Sequence, residues 1–235
     1  MSVINNPLII ALDVDSSEEA LRLIEQIGPA ANFYKVGMEL YAAAGMSLVK
    51  QIAATGHKVF LDLKLYDIGE TVKRATKQIC TSAVPAFLTV HGSVPVMKAA
   101  VEGRGDSATK LLAVTVLTSF DQDDLADLGY PTPIADLVAL RVKKARESGI
   151  DGIVCSPLEV ARVRMLAGPA MKLVTPGVRS AGADKGDQKR VATPAEALRD
   201  GADYLVIGRQ VTRASDPRSA CEQILSEIAV PESAV

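Results

Sequence analysis

Between Val59 and Thr71 the chain reads VFLDLKLYDIGET, which puts Asp62, Lys64 and Asp67 within six positions. A lysine offers a compact charge and a transferable proton, whereas arginine is very hard to deprotonate. Set among carboxylates, such a lysine is suited to stabilising developing negative charge and to general-acid work. The preceding Val59, Phe60 and Leu61 are apolar and β-prone. On a strand, side chains alternate faces, so Asp62 and Lys64 point one way and Leu61, Leu63 and Leu65 the other. A half-exposed edge strand with a surface ion pair would be polar along its whole outer face. Here Phe60 occupies that face, and the charges gather at the C-terminal end, where α/β proteins place their chemistry.

The elements that must position these residues alternate along the chain. Buried-strand patterns fall at 8–13, 32–37, 59–64, 86–91, 110–117, 152–155, 172–175 and 204–208. Ser16, followed by Glu18 and Glu19, caps a first helix running to about Gly28. A second helix reaches about Ala54, a third starts near Gly69, and a closing helix ends near Ile228. Eight β/α units in 235 residues predict a (β/α)8 barrel, slightly below the usual size of roughly 250. A doubly wound open sheet usually has fewer strands, and no GxGxxG follows the first strand. There is no linker or low-complexity run, so residues 1–235 read as one domain.

Composition narrows the function. Hydrophobic residues at 48% supply a core, and charged residues at 23% suit a soluble globular chain. A formal net charge of -2 gives no electrostatic reason to expect nucleic acid or a membrane surface as partner. No apolar run approaches the roughly 20 residues that span a bilayer. The start, MSVINNPLII, lacks the pattern of a signal peptide. Cys80, Cys155 and Cys221 are odd in number and widely spaced, as expected of reduced, buried thiols in the cytoplasm. His57 and His91 stand at no metal-site spacing from them, and no metal is expected.

The unusual residues cluster at expected strand ends. Asp13 closes the first strand, Lys35 nears the end of the second, Asp62 and Lys64 lie at the end of the third, and His91 closes the fourth. Thr118 and Ser119 follow the fifth, Pro176-Gly177-Val178-Arg179 the seventh, and Gly208-Arg209 closes and follows the eighth. Singly each has an ordinary explanation: a capping aspartate, a hydrogen-bonded corner, a solvated arginine. Together they mark one rim of the barrel, its C-terminal face.

On these residues the chain resembles the orotidine 5′-phosphate decarboxylase family, in its short, bacterial-type single-domain form. The resemblance rests on Phe60-Leu-Asp62-Leu-Lys64-Leu-Tyr-Asp67-Ile68, Ala-Leu-Asp13, Tyr-Lys35-Val-Gly and Thr-Val-His91-Gly. Leu-Thr118-Ser119, Thr-Pro-Gly-Val-Arg179, Asp187-Gln188-Lys-Arg190 and Ile-Gly208-Arg209 continue it in order. The DxKxxD element alone is shared with sugar-phosphate decarboxylases of the same superfamily; the TPGVR, DQ and GR elements are the more specific.

That resemblance implies decarboxylation of orotidine 5′-monophosphate to uridine 5′-monophosphate (UMP), in UMP biosynthesis, with no metal or organic cofactor. It implies Lys64 as the acid that protonates C6, with Asp62 near the substrate carboxylate and Lys35 and Asp67 completing an alternating array. It implies a homodimer, with Asp67, Ile68 and Thr71 reaching the site of the second subunit. Asp13, with Lys35 nearby, would bind the ribose, Thr118 and Ser119 the pyrimidine edge, and Gly208 and Arg209 the phosphate. Arg179 and Gln188 would close from a lid at 178–191. His91 is expected to be structural, and Tyr66 and Lys73 ordinary surface or interface residues.

Two rival functions fit part of the pattern. A Mg2+-dependent 3-keto-gulonate-6-phosphate decarboxylase or hexulose-phosphate synthase would need further acidic ligands, where this chain has Leu65 and Tyr66. A catalytically silent nucleotide binder would have no need of a lysine among carboxylates.

Overall fold

The computed structural model describes residues 6–180 and 192–229. Eight parallel strands close into a barrel in chain order: β1 Leu8–Ala11, β2 Phe33–Gly37, β3 Lys58–Leu65, β4 Phe87–His91, β5 Lys110–Val114, β6 Gly152–Val154, β7 Lys172–Pro176 and β8 Tyr204–Ile207. β8 pairs with β1 through Leu8 opposite Leu205, so no edge remains. The (β/α)8 expectation holds; the expected domain limits, residues 1 and 235, lie outside the described residues.

The two-residue period of the strands divides the core in two. Ile9, Phe33, Phe60, Phe87, Leu112, Val174 and Val206 fill the barrel interior. Phe33, Phe60, Phe87 and Tyr204 meet there in tilted and edge-to-face contacts with ring centroids 5.1–5.9 Å apart. The alternate residues, among them Leu8, Ile10, Tyr34, Val36, Leu61 and Leu88, pack outward against the helices. Two residues beyond the interior ring, the same register delivers Lys35, Asp62 and Thr89. Packing therefore gives way to polar chemistry within one layer.

Several boundaries differ from the sequence pattern. β1 ends at Ala11 rather than Asp13, and β5 at Val114 rather than Leu117. The last register pairs are Ala11 with Lys35, and Val114 with His91 and Val154; β4 and β6 both end opposite Val114, whereas β2 runs on to Gly37 and the Leu12 N–H still donates to the Lys35 carbonyl at 3.0 Å. The helical stretch after β5 is two helices, Gln122–Asp127 and Ile134–Glu147. The first helix is Ser17–Ile27, with the Ser16 hydroxyl accepting from the Glu19 N–H at 3.4 Å. Cys80, Cys155 and Cys221 are buried and free of disulfides. Among the described residues no helix is long and apolar enough to cross a membrane.

Candidate active site

The β3–β4 ladder is where the site begins. Leu61 faces Leu88 and Leu65 faces Val90, so β3 has three residues between these pairs where β4 has one. Asp62, Leu63 and Lys64 bulge against Thr89 alone. Lys64 takes a left-handed backbone, φ 49°, which costs a lysine about 1–2 kcal/mol. Its N–H finds no ladder carbonyl and donates instead to the Thr89 hydroxyl oxygen, 2.9 Å away. That hydroxyl donates in turn to Asp62 Oδ1 at 2.8 Å. The regular alternation expected through Lys64 is therefore broken in the backbone. The side chains still sort as expected, with Leu63 and Leu65 against the outer core and Asp62 and Lys64 together.

Across the rim the charges alternate. Lys64 Nζ lies 3.0 Å from both oxygens of Asp62. Lys35 Nζ is 3.8 Å from Asp62 Oδ2 and donates to Asp13 Oδ1 at 2.9 Å. Lys35 is 9% exposed, and its burial is compensated by the two carboxylates. Gly37 makes room for this pair. A Cβ there would sit 2.9 Å from Lys35 Nζ and 3.3 Å from Asp13 Oδ1, so a side chain at this position would displace the Lys35 ammonium from its place beside Asp13. At the end of β7, Gly177 turns the chain with φ 81°, a conformation a side chain would strain.

These groups line one cavity of about 440 Å³ at the C-terminal ends of the strands. Ala11, Val114, Val154 and Val206 contribute apolar surface, and Asp13, Lys35, Asp62, Lys64, Thr118, Arg179, Gly208 and Arg209 are the expected site residues found there. Glu39 and Arg213 also line it and carried no sequence signal. The lining holds five cationic side chains against three carboxylates, a balance that favours an anionic ligand. Arg209 opens the short helix Arg209–Thr212 directly after Gly208. Arg179 is anchored by its N–H to the Ala192 carbonyl at 3.0 Å, and Ser180 and Gln210 exchange hydrogen bonds beside it.

Other expected residues stand elsewhere. Asp67, Ile68, Thr71 and Ser119 do not line the cavity. Asp67 is exposed, its carboxylate accepting from the Ile68 N–H at 2.6 Å. Gln188 and the loop glycines Gly182 and Gly186 lie outside the described residues. His91 stacks on Tyr66 with ring centroids 4.1 Å apart. Burial, and then the nearby Arg141, hold its imidazole below the usual histidine range, so it is neutral at physiological pH. Thr89 is the residue that sequence reasoning passed over. Its signal was a hydroxyl at an interior strand position, two residues past Phe87.

A closed parallel barrel with a lysine–carboxylate array at the strand ends and arginines across the cavity defines a barrel enzyme for a small anionic substrate. The chain belongs to the family described as Orotidine 5'-phosphate decarboxylase / HUMPS, whose model matches residues 6–224. It is 53% identical over 222 residues to an orotidine 5'-phosphate decarboxylase of Rhodopseudomonas palustris (strain BisB5), covering 94% of each chain. It is 54% identical over 225 residues to one of Methylobacterium sp. (strain 4-46), covering 94% of this chain and 95% of that one. The crystal structure of orotidine 5'-phosphate decarboxylase from Lactobacillus acidophilus superposes with a TM-score of 0.84 at 38% identity, covering 96% of this chain and all of that one.

Proposed function

We propose that this chain decarboxylates orotidine 5′-monophosphate to UMP, the carboxy-lyase step of UMP synthesis, and does so without a cofactor. The observation that carries the proposal is the Asp13–Lys35–Asp62–Lys64 array at the mouth of the barrel. Loss of CO2 from C6 leaves an electron pair in the plane of the pyrimidine, where no π system delocalises it. Only placed charge can stabilise it. The Lys64 ammonium supplies that charge and then gives its proton to C6. Asp62 faces the departing carboxylate. Two unit charges about 4 Å apart at an effective dielectric near 20 repel by about 4 kcal/mol, a repulsion that ends when neutral CO2 leaves. Lys35 lies between Asp13 and Asp62, 2.9 Å and 3.8 Å from their oxygens, and offsets the repulsion between the two carboxylates.

The remaining roles are those the family resemblance implies, with Asp13, Thr118, Arg179, Gly208 and Arg209 found in the cavity lining. Asp13 accepts from ribose hydroxyls, Thr118 and Ser119 meet the pyrimidine edge, and Gly208 with Arg209 takes the phosphate, as the eighth-strand rim commonly does in barrels. Arg179 and Gln188 close over the phosphate and base. Binding energy from the phosphate, remote from C6, supports that closure. Asp67, Ile68 and Thr71 act in the site of a second copy of the chain. Their exposure, and their absence from the cavity of their own chain, support this use. The three buried cysteines, none in a disulfide, suit a cytoplasmic setting.

The test is turnover of orotidine 5′-monophosphate in EDTA, followed by the ultraviolet change as orotate becomes uracil. Fast substrate loss is expected. Absence of turnover, with activity on a keto-sugar phosphate restored by Mg2+, would reassign the chain to the hexulose-phosphate branch.

A further inference from the structure

We propose that Thr89 is a positioning residue for catalysis, setting the geometry of Asp62 and Lys64 through one hydroxyl. This inference rests on the roles given above to those two residues. Thr89 is fully buried, and nothing about packing alone calls for a hydroxyl there. Its oxygen is the shared point of two contacts. It accepts from the Lys64 N–H at 2.9 Å and donates to Asp62 Oδ1 at 2.8 Å.

Both contacts have consequences for the reacting groups. The first satisfies a backbone donor that the β-bulge leaves without a ladder partner, and so supports the left-handed turn at Lys64. With Lys64 in an ordinary extended conformation, its Cα–Cβ bond would leave the strand in a different direction. The ammonium would then no longer be held 3.0 Å from both Asp62 oxygens. The second contact holds Asp62 Oδ1, while Lys35 lies nearer Oδ2, which fixes the rotation of the carboxylate between the two lysines. One hydroxyl thus orients acid and carboxylate from behind, without reaching the cavity lining.

The hydroxyl would act on the transition state more than on ground-state binding, because the phosphate and ribose contacts do not depend on it. Thr89→Val keeps the shape and removes the hydroxyl; Thr89→Ser keeps the hydroxyl. For Thr89→Val, kcat is expected to fall about 10- to 100-fold with KM for orotidine 5′-monophosphate within about 3-fold of wild type. Thr89→Ser is expected to recover most of kcat. Melting temperatures are measured alongside, and should the valine variant not fold, Thr89→Ala is judged by the same criteria. An unchanged kcat in a folded hydroxyl-free variant would overturn the proposal. So would a Thr89→Ser variant as slow as Thr89→Val, or a loss confined to KM. Lys64→Ala is assayed beside them. If that variant keeps turnover, the underlying role of Lys64 has failed; if it is inactive while Thr89→Val is normal, only the positioning role has.

Discussion

Replacing Lys64 by alanine is the most direct test of the chemistry. The ammonium lies within the charge array, 3.0 Å from Asp62. At about 4 Å from C6 and an effective dielectric near 20, it would stabilise a unit negative charge by about 4 kcal/mol, about a thousandfold in rate. Losing the proton donor adds about 10²–10⁴-fold, and since one group performs both tasks the effects overlap. We expect kcat to fall about 10⁴- to 10⁶-fold. The fold should survive. Asp62 keeps the Thr89 hydroxyl at 2.8 Å and Lys35 at 3.8 Å, and alanine at φ 49° is strained about as much as lysine. UMP affinity, measured by calorimetry, should stay within about 10-fold, because the proposed phosphate contact, Arg209, is left unchanged in the cavity lining. Turnover is read from ultraviolet absorbance. A kcat within about 10-fold of wild type would refute Lys64 as the acid. Loss of UMP binding in parallel with activity would show a collapsed site instead.

Other substitutions probe the surroundings. Gly37→Ala should lower kcat/KM at least about 10-fold by driving a methyl into the Lys35–Asp13 pair, with circular dichroism still showing the folded barrel; normal kinetics would mean the pair has room to shift. Arg209→Ala should raise KM for orotidine 5′-monophosphate about 10- to 100-fold, with a smaller effect when the phosphate is absent from the substrate. At the opposite end of the barrel, Asp203 accepts from the Leu173 N–H at 2.8 Å, Arg164 at 2.6 Å and Lys172 at 3.0 Å. Burial pushes its carboxyl up, but these bonds outweigh it and hold it below the usual carboxylate range. Its contribution is therefore present above the unfolded value of about 3.9 and is lost as pH falls through the lower folded value. Asp203→Asn should destabilise the protein by about 1–3 kcal/mol at pH 7 with kcat unchanged, and should flatten the acid limb of stability below about pH 4. Equal losses at pH 7 and pH 3 in urea titrations would remove Asp203 from that limb.

Most of this protein is local in origin, and so could be read from its residues in order. The two-residue period placed Phe60, Asp62 and Lys64 on one face, and the eight alternations of strand and helix implied a closed barrel, since a strand apolar on both faces needs cover on both. The motifs at strand ends marked the rim because a parallel barrel puts every C-terminal end on the same side. What lay beyond sequence were relations between strands. The bulge in β3 exists only relative to β4, so neither the left-handed Lys64 nor the role of Thr89, 25 residues away, shows in either segment alone. The early end of β5 was decided by where its neighbours stop, since β4 and β6 both end opposite Val114. Gly37 reads as an ordinary glycine until Asp13 is brought beside Lys35. Side-chain type and period are properties of a segment; register and closure belong to the whole barrel, and they turned separate charges into one array.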